Sequence, residues 1–332
     1  MEFVLSGYGR KPQTSMTLYR MKEDKTLKHL WETSVNEPSF VCQGDGLLFA
    51  VSEVLDSASI YVFRREGCQY ILSDEKVIDG GLLCHISYSS KNKSLYGACY
   101  ETGTVFSVRV NQDKFGEVLY QEIQKGTDPN ELTRAHCVFL NREETKLFVA
   151  NIALDRLFIY DIAEGYLTLN SLITLPVGVG PRHVLLSMDG KYLYVITEYS
   201  NEILLYRIDA SLEQLQRIST LSEGYNGQSF CSTMCLSRDG AYLYAANRGA
   251  DTIALFRRAE NGFLHKIKEY SCGGKHPRHM MISNDGKYLI VCNQNSDRVV
   301  IFELDEVTGS LKSEAAVLSF AAPSGVVEIP AI

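Results

Sequence analysis

A strand-like cassette recurs seven times along this chain of 332 residues, at intervals of 46 to 52 residues. The copies begin at Phe3, Phe49, Tyr96, Phe148, Tyr194, Tyr244 and Ile290. Three late copies share the pattern Ser-x-Asp-Gly before an apolar run, starting at Ser187, Ser237 and Ser283. Such a period, with an Asp-Gly turn between strands, is typical of β-propeller blades. Because one blade cannot bury both of its faces, the repeats predict a single closed unit over residues 1–332.

The copy at residues 181–220 indicates how one blade is built. Short runs rich in Val, Ile, Leu and Tyr alternate with Gly, Asp, Asn and Ser, which predicts four strands joined by turns. The first copy lacks an initial strand, whereas the segment from Ser324 to Ile329 has the pattern of an initial strand without its own blade. We therefore expect an all-β, seven-bladed β-propeller of four-stranded antiparallel blades, closed by pairing of the N- and C-terminal segments in one blade.

The bulk composition narrows the classes of partner. A formal net charge of −7 disfavours a nucleic-acid scaffold and a polybasic membrane surface. No apolar run approaches the ~18–20 residues that span a membrane, and the first residues lack the pattern of a signal peptide. Nine cysteines without framework spacing indicate reduced, mostly buried thiols, and Cys231 and Cys235 are predicted to share one strand face. We expect a cytoplasmic protein and leave its oligomeric state open.

Equivalent positions of all blades meet at the axis of a propeller, so stacking the repeats identifies distant residues that converge. The start of strand one lies beside the end of strand two, because the two strands are antiparallel. The strand-one position lies twelve residues before the repeat start and holds His136, Arg182, Ser232 and Arg278. His85 is assigned to the same position if one turn is a residue shorter. The strand-two position lies four residues after the repeat start and holds Gly7, Glu53, Tyr100, Ile152, Glu198, Arg248 and Gln294.

These positions are strongly polar where the interior of a packed barrel should be apolar. The predicted catalytic residues are His136, Arg182, Glu198 and Arg248. The predicted substrate-binding residues are Glu53, His85, Tyr100, Arg278 and Gln294. Guanidinium groups bind carboxylates or phosphates bidentately, and a carboxylate or an imidazole can transfer protons near neutral pH. No Ser or Cys stands in a recognisable nucleophile motif, which favours acid–base handling of water or of a carbon acid over covalent catalysis.

Two further interpretations concern the remaining histidines and a metal. His183 and His279 each follow an arginine and alternate to the opposite strand face, so we expect them between sheets. A metal would need several ligands at one point. Four residues could supply them if they met: Glu53, Glu198, His85 and His136. No metal and no other cofactor is predicted.

Four segments resemble the seven-bladed propeller lactonase family, which includes the cycloisomerase-type 6-phosphogluconolactonase and the 3-carboxy-cis,cis-muconate lactonizing enzyme. The segments are Gly180-Pro-Arg-His-Val, Ala246 to Phe256, Gly273 to His279 and Asn293 to Phe302. The resemblance implies metal-independent lactone chemistry and an active site of one histidine, two arginines and one glutamate. These roles fall by motif on His136, Arg182, Glu198 and Arg248. The chain departs from the family pattern at Arg134, Ser232-Thr233 and His279.

We call the residues at the strand-one and strand-two positions of all blades the polar ring. Together with the resemblance, this ring predicts hydrolysis of a small anionic sugar lactone, with 6-phosphoglucono-1,5-lactone of the pentose phosphate pathway as the expected substrate. A muconate-type cycloisomerase is one alternative, because the same groups could protonate carbon while arginines hold carboxylates. A non-catalytic binding or interaction platform is the other. The clustering of acid, base and anion-binding groups in one ring argues against a platform.

Overall fold

The computed structural model describes residues 1–9, 12–128, 130–208 and 212–330. These residues form seven four-stranded antiparallel sheets, which confirms the predicted seven-bladed β-propeller. The sheets are called blades 1 to 7 in chain order. The described residues contain one short 3₁₀ helix, Gln294–Ser296. They contain no helix that is long and apolar enough to cross a membrane.

The first four blades span the N-terminal half of the chain, and blade 1 borrows one strand from the other end. Blade 1 contains β1 (Glu2–Gly7), β2 (Met16–Met21), β3 (Leu27–Thr33) and, from the far end of the chain, β28 (Pro323–Ile329). Blade 2 contains β4 (Val41–Gly44), β5 (Leu47–Val54), β6 (Ser57–Glu66) and β7 (Gln69–Ile78). Blade 3 contains β8 (Leu83–Ser89), β9 (Ser94–Cys99), β10 (Thr104–Asn111) and β11 (Lys114–Ile123). Blade 4 contains β12 (Ala135–Leu140), β13 (Lys146–Asn151), β14 (Arg156–Ala163) and β15 (Tyr166–Thr174).

The last three blades follow the same order. Blade 5 contains β16 (Pro181–Leu186), β17 (Tyr192–Thr197), β18 (Glu202–Arg207) and β19 (Glu213–Ser219). Blade 6 contains β20 (Phe230–Leu236), β21 (Tyr242–Arg248), β22 (Thr252–Arg258) and β23 (Leu264–Ser271). Blade 7 contains β24 (Pro277–Ile282), β25 (Tyr288–Asn293), β26 (Arg298–Leu304) and β27 (Leu311–Ser319). The first strand of each blade, with β28 in blade 1, touches the first strand of the next, so these strands surround the axis.

The ring closes through the pairing of β28 with β1. The two strands are antiparallel and in register over most of their length, with Glu2 opposite Ile329 and Val4 opposite Val327. Every residue of β1 is buried. The strand missing at the start of the chain predicts this pairing, which the structure confirms, and the pairing covers the inner edge of β1.

The hydrophobic core is divided among the contacts between neighbouring blades. Each of seven buried clusters joins two adjacent blades, including the cluster that joins blade 7 to blade 1. Phe49 of blade 2, for example, packs with Phe106 of blade 3. Successive residues of a strand point to opposite faces, and both faces of a blade are covered. The second strands are accordingly apolar on both faces rather than alternating.

The Ser-x-Asp-Gly motifs form the turns between strands one and two in the last three blades. In blade 5, Ser187 Oγ donates to Asp189 Oδ1 at 2.6 Å and accepts from the Tyr192 backbone N–H at 3.0 Å. Gly190 completes the turn at φ +69°, a left-handed conformation that glycine adopts without strain. These turns lie at the end of the blades opposite to the polar ring.

A bulge interrupts the pairing of strand one with strand two in six of the seven blades. In blade 6 the pairing passes from Cys231 opposite Asn247 directly to Met234 opposite Ala245. Consequently Cys231 packs between blades 5 and 6, whereas Cys235 packs between blades 6 and 7. The prediction that the two thiols share a face is wrong, because the bulge reverses the alternation between them. All nine cysteines are free, and six of them are buried.

Candidate active site

The polar ring contains a carboxylate that two arginines hold. Arg182 lies in the bulge of β16, and Glu198 follows the last residue of β17 in the same blade. Arg182 Nε donates to Glu198 Oε2 at 2.9 Å. Arg248, at the end of β21 in the next blade, places its Nη2 2.7 Å from the same oxygen. Glu198 Oε1 accepts no hydrogen bond from the described residues, so one oxygen of the carboxylate is left for another donor.

Both arginines are almost completely buried, and backbone carbonyl groups fix their orientation. Arg182 Nη1 donates to the Ser232 carbonyl oxygen, and Arg248 Nη2 donates to the Cys231 carbonyl oxygen at 3.0 Å. Burial lowers the pKa of Arg182 to about 10, and the nearby Arg248 charge acts in the same direction. Arg182 therefore remains charged at neutral pH, with little freedom to move. The Glu198 side chain is 18% exposed and is the most accessible member of the trio.

His136 stands on the blade 4 side of this trio. It lies in the bulge of β12, and its ring is 5.8 Å from that of Tyr100 in edge-on geometry. Its Nδ1 is buried and has no hydrogen-bond partner among the described residues. Burial, followed by the charge of Arg182, holds the pKa of His136 well below its usual value of 6.5. The imidazole is therefore neutral at pH 7 and can accept a proton.

A second ion pair lies on the other side of the ring. Arg278 Nη2 is 3.5 Å from Glu53 Oε2, and the Tyr8 hydroxyl donates to the same carboxylate oxygen at 2.7 Å. The Arg278 guanidinium also lies 5.0 Å from the centre of the Tyr8 ring. Burial is the main cause that raises the pKa of the Tyr8 phenol, so it remains a hydrogen-bond donor at neutral pH. Sequence reasoning missed Tyr8 because it lies one residue beyond the strand-two position held by Gly7.

The rim between blades 3 and 5 consists of Arg134, Tyr100 and Tyr199. Arg134 Nη1 donates to the Tyr100 hydroxyl at 3.2 Å, and its guanidinium lies 4.9 Å from the centre of the Tyr100 ring. Tyr199 directly follows Glu198, and burial together with the nearby Tyr100 raises the pKa of Tyr199 to about 12. Tyr100 thus neighbours both the His136 ring and the Arg134 guanidinium.

The backbone brings Gln294 and His276 together on the blade 7 side. The Gln294 backbone N–H donates to the His276 carbonyl oxygen at 3.0 Å, and Gln294 Oε1 is buried without a partner in the described residues. Burial lowers the pKa of His276 to about 4, and the charges of Arg248 and Arg278 add to the effect. The repeat alignment does not select His276, although this residue stands in the Gly273 to His279 motif. It precedes the strand-one position by two residues.

A layer of buried and partly buried aromatic rings lies on the axis beneath the arginines. The ring centre of His85 in blade 3 lies 5.1 Å from that of His183 in blade 5. The ring centre of Phe40 in blade 2 lies 5.3 Å from that of His279 in blade 7. The ring centres of Phe40 and His85 are 4.1 Å apart. Since blades 3 and 5, like blades 2 and 7, are not neighbours, these contacts cross the axis. The prediction that His183 and His279 lie between sheets is wrong, because each follows a bulge that turns two successive residues inward.

His85 is also misplaced by the repeat alignment. Cys84 lies in the bulge of β8 and corresponds to Arg182, whereas His85 pairs with Ala98 and corresponds to His183. The His85 Nε2 lies 3.8 Å from the Cys137 sulfur in the buried layer. Burial lowers the pKa of His85 to about 3, so its ring is neutral. The structure therefore places His85 below the arginines and not in the strand-one position predicted for it.

His183 links the buried layer to the ion pairs above it. Its Nε2 accepts from Arg182 Nη1 at 3.3 Å, so its Nδ1 carries the proton and donates to Thr233 Oγ1 at 3.2 Å. The described residues bring together no group of three or more His, Cys, Asp or Glu side chains suited to a metal ion. The absence of a metal or other cofactor from the reaction stays a prediction.

A family model described as Lactonase, 7-bladed beta-propeller, matches residues 2–328. The chain therefore belongs to the seven-bladed β-propeller lactonase family and is a lactonase. The resemblance seen in the four motif segments is confirmed, and the alternative of a non-catalytic platform is set aside.

Individual relatives are distant but cover most of the chain. A protein of Staphylococcus epidermidis is 27% identical over 270 residues, which cover 78% of this chain and 79% of that protein. A protein of Bacillus subtilis named 6-phosphogluconolactonase is 24% identical over 277 residues, with 79% of each chain covered. The solved structure of a periplasmic gluconolactonase from Pseudomonas aeruginosa matches with a TM-score of 0.92 at 23% identity, over 99% of both chains. That last likeness establishes the shared fold.

Proposed function

We propose that this protein hydrolyses sugar lactones and that its substrate is 6-phosphoglucono-1,5-lactone, which it converts to 6-phosphogluconate. The observation that carries the proposal is the carboxylate of Glu198 held between Arg182 and Arg248, with the neutral imidazole of His136 on the same end of the axis. The Bacillus subtilis relative, named 6-phosphogluconolactonase, supports the choice of substrate.

In the proposed reaction, a water molecule attacks the lactone carbonyl carbon, C1. His136 accepts the proton that the water loses, because its imidazole is neutral and its pKa is low. The carbonyl oxygen becomes an oxyanion, which the neighbouring guanidinium groups stabilise. When the intermediate collapses, the bond between C1 and the ring oxygen breaks, and the His136 imidazolium returns its proton to that oxygen. The product acid then releases a proton to solvent.

The low pKa of His136 also favours the second step of the proposed reaction, in which the bond between C1 and the ring oxygen breaks. An imidazolium surrounded by arginine charges and buried is a stronger acid than one in water. It therefore transfers its proton readily to the departing alkoxide. Glu198 is proposed to hold both guanidinium groups in position and to present its Oε1 to the substrate or to the attacking water.

The direct test is hydrolysis of freshly prepared 6-phosphoglucono-1,5-lactone by the purified protein, with the spontaneous rate subtracted. Glucono-1,5-lactone is measured in parallel, and the His136→Gln variant provides the matched control for contaminating activity. We expect acceleration by the wild-type protein that the variant lacks. If the protein accelerates the hydrolysis of neither lactone, the proposed function is refuted. If it accelerates only the hydrolysis of glucono-1,5-lactone, the proposed substrate is refuted.

A further inference from the structure

Arg134 differs from the arginines of the polar ring because it has no carboxylate partner. Arg182 and Arg248 both form ion pairs with Glu198, and Arg278 forms one with Glu53. Among the described residues, no Asp or Glu oxygen forms an ion pair with Arg134. Its Nε is buried, and it too has no hydrogen-bond partner in that part of the chain. A guanidinium in this state retains donors that can bind an anion.

The ion pairs of the polar ring contain fewer carboxylates than guanidinium groups. Four guanidinium groups face two carboxylates: Arg134, Arg182, Arg248 and Arg278 against Glu53 and Glu198. His136 and His183 beside them are buried, and their low pKa values keep them neutral at pH 7. The ring of an aldonolactone carries no charge, whereas a phosphate monoester carries about −1.5 to −2 near pH 7. A phosphorylated lactone can therefore pair its charge with the unpaired Arg134 guanidinium, and an unphosphorylated one cannot.

Arg134 is held in place beside the catalytic group. Its guanidinium lies 4.9 Å from the centre of the Tyr100 ring and donates to the Tyr100 hydroxyl, and this ring is 5.8 Å from that of His136. A guanidinium has five N–H donors, so the contact with Tyr100 leaves others that can bind an anion. Tyr199 follows Glu198 along the chain and has its phenol near Tyr100. The rim thus offers a cation and phenolic hydroxyl groups next to the site at which the lactone ring would open.

We propose that Arg134, which is held by Tyr100 and flanked by Tyr199, binds the phosphate group of a phosphorylated sugar lactone. This inference rests on the proposed function and extends it, because it assigns the preference for a phosphorylated substrate to a rim residue outside the catalytic group. Arg134 is a specificity residue in this assignment. The effect of removing it must therefore differ between phosphorylated and unphosphorylated ligands.

The experiment compares wild-type protein with Arg134→Met, which removes the charge at similar length, and Arg134→Lys, which keeps the charge without the planar fork. Arg142→Met is the matched control, since Arg142 is an exposed residue in the turn at the opposite end of the same blade. The kcat/KM is measured for 6-phosphoglucono-1,5-lactone and for glucono-1,5-lactone. Calorimetry supplies the Kd values of 6-phosphogluconate and gluconate. Melting temperatures identify any variant that fails to fold.

We expect Arg134→Met to lower the ratio of the two kcat/KM values by about 10- to 100-fold, mainly through KM for the phosphorylated lactone. Arg134→Lys should lower it less, and Arg142→Met should not change it. A ratio that is unchanged in Arg134→Met would overturn the inference. If wild-type protein hydrolyses neither lactone, the proposed function fails and binding alone decides. The inference then stands only if wild-type protein binds 6-phosphogluconate at least 10-fold tighter than gluconate and Arg134→Met abolishes that difference.

Discussion

Glu198 Oε2 lies 2.7 Å from Arg248 Nη2, and this contact joins blade 5 to blade 6 at the axis. The same oxygen receives a hydrogen bond from Arg182 within blade 5. A carboxylate shared by two guanidinium groups separates two like charges that would otherwise repel each other in a buried environment. The carboxylate therefore keeps both arginines directed at one point.

Replacing Glu198 by Gln should lower kcat by about 10²-fold or more while the fold is retained. The amide keeps the size of the side chain but leaves Arg182 and Arg248 without a neutralising charge, which should also lower the free energy of unfolding by about 1–3 kcal/mol. Steady-state kinetics and urea unfolding measure the two effects. The control is Glu202→Gln, because Glu202 forms an ion pair with Arg217 at the partly exposed edge of the same blade. Equal activity of the two variants would contradict the assigned role of Glu198.

Replacing Arg248 by Lys should raise the KM for the lactone about 10-fold and change kcat less. Lysine keeps the positive charge but cannot hold Glu198 and the Cys231 carbonyl oxygen with the same planar group. Arg258→Lys, in the strand that follows in blade 6, serves as the matched control at the opposite end of the blade. A fall in kcat at constant KM would mean that Arg248 acts only in the transition state.

The pH dependence of kcat/KM should lack an acidic limb near the ordinary histidine pKa of 6.5. Burial and the charge of Arg182 lower the pKa of His136, so the imidazole stays able to accept a proton well below pH 6.5. Rates measured from pH 5 to 8 should therefore remain on a plateau through pH 6.5. His136→Gln should lower kcat about 10²-fold or more. An acidic limb centred at pH 6.5 or above would contradict a neutral, buried His136.

The protein should lose stability as the pH falls from 6.5 to 5. The pKa values are lowered to about 3 for His85 and to about 4 for His279, whereas histidines of the unfolded chain have pKa values near 6.5. Below pH 6.5 the unfolded chain therefore binds more protons, and each such histidine reduces the free energy of unfolding by up to about 1.4 kcal/mol per pH unit.

Urea unfolding at pH 7.5, 6.0 and 5.0 measures this loss. The range stops above the pKa values of ordinary carboxyl groups, so histidines dominate the change. His279→Gln should reduce the slope, and replacement of the exposed His265 by Gln should leave it unchanged. A free energy of unfolding that is constant between pH 7.5 and 5.0 would contradict the neutral axial layer.

The fold and the central ion pairs could be predicted from sequence because both follow from the repeat. The period determines the blades, and antiparallel pairing determines that Arg182 meets Glu198. The equivalent position in the next blade then brings Arg248 to the same carboxylate. These predictions need only the order of residues along regular strands.

The rest of the site depends on irregular backbone that the pattern does not reveal. The bulges in the first strands place His183 and His279 on the axis, although strict alternation predicts the opposite face. They also shift the alignment of His85, whose place in the ring belongs to Cys84. Six blades carry this extra residue in strand one. In the sequence, the only sign of it is that two adjacent residues of strand one are polar in several blades. His276 escapes the alignment because it precedes the strand altogether.

The pairing of β28 with β1 also determines how the ring would respond to force. The two strands are antiparallel, and Glu2 lies opposite Ile329, so the chain leaves the pair at the same end on both strands. Tension applied before Glu2 and after Ile329 would therefore break the hydrogen bonds between the strands one after another, starting at that end. It would not shear the two strands past each other, which would load all of the hydrogen bonds at once. The seam that closes the ring is therefore also the first to part under tension.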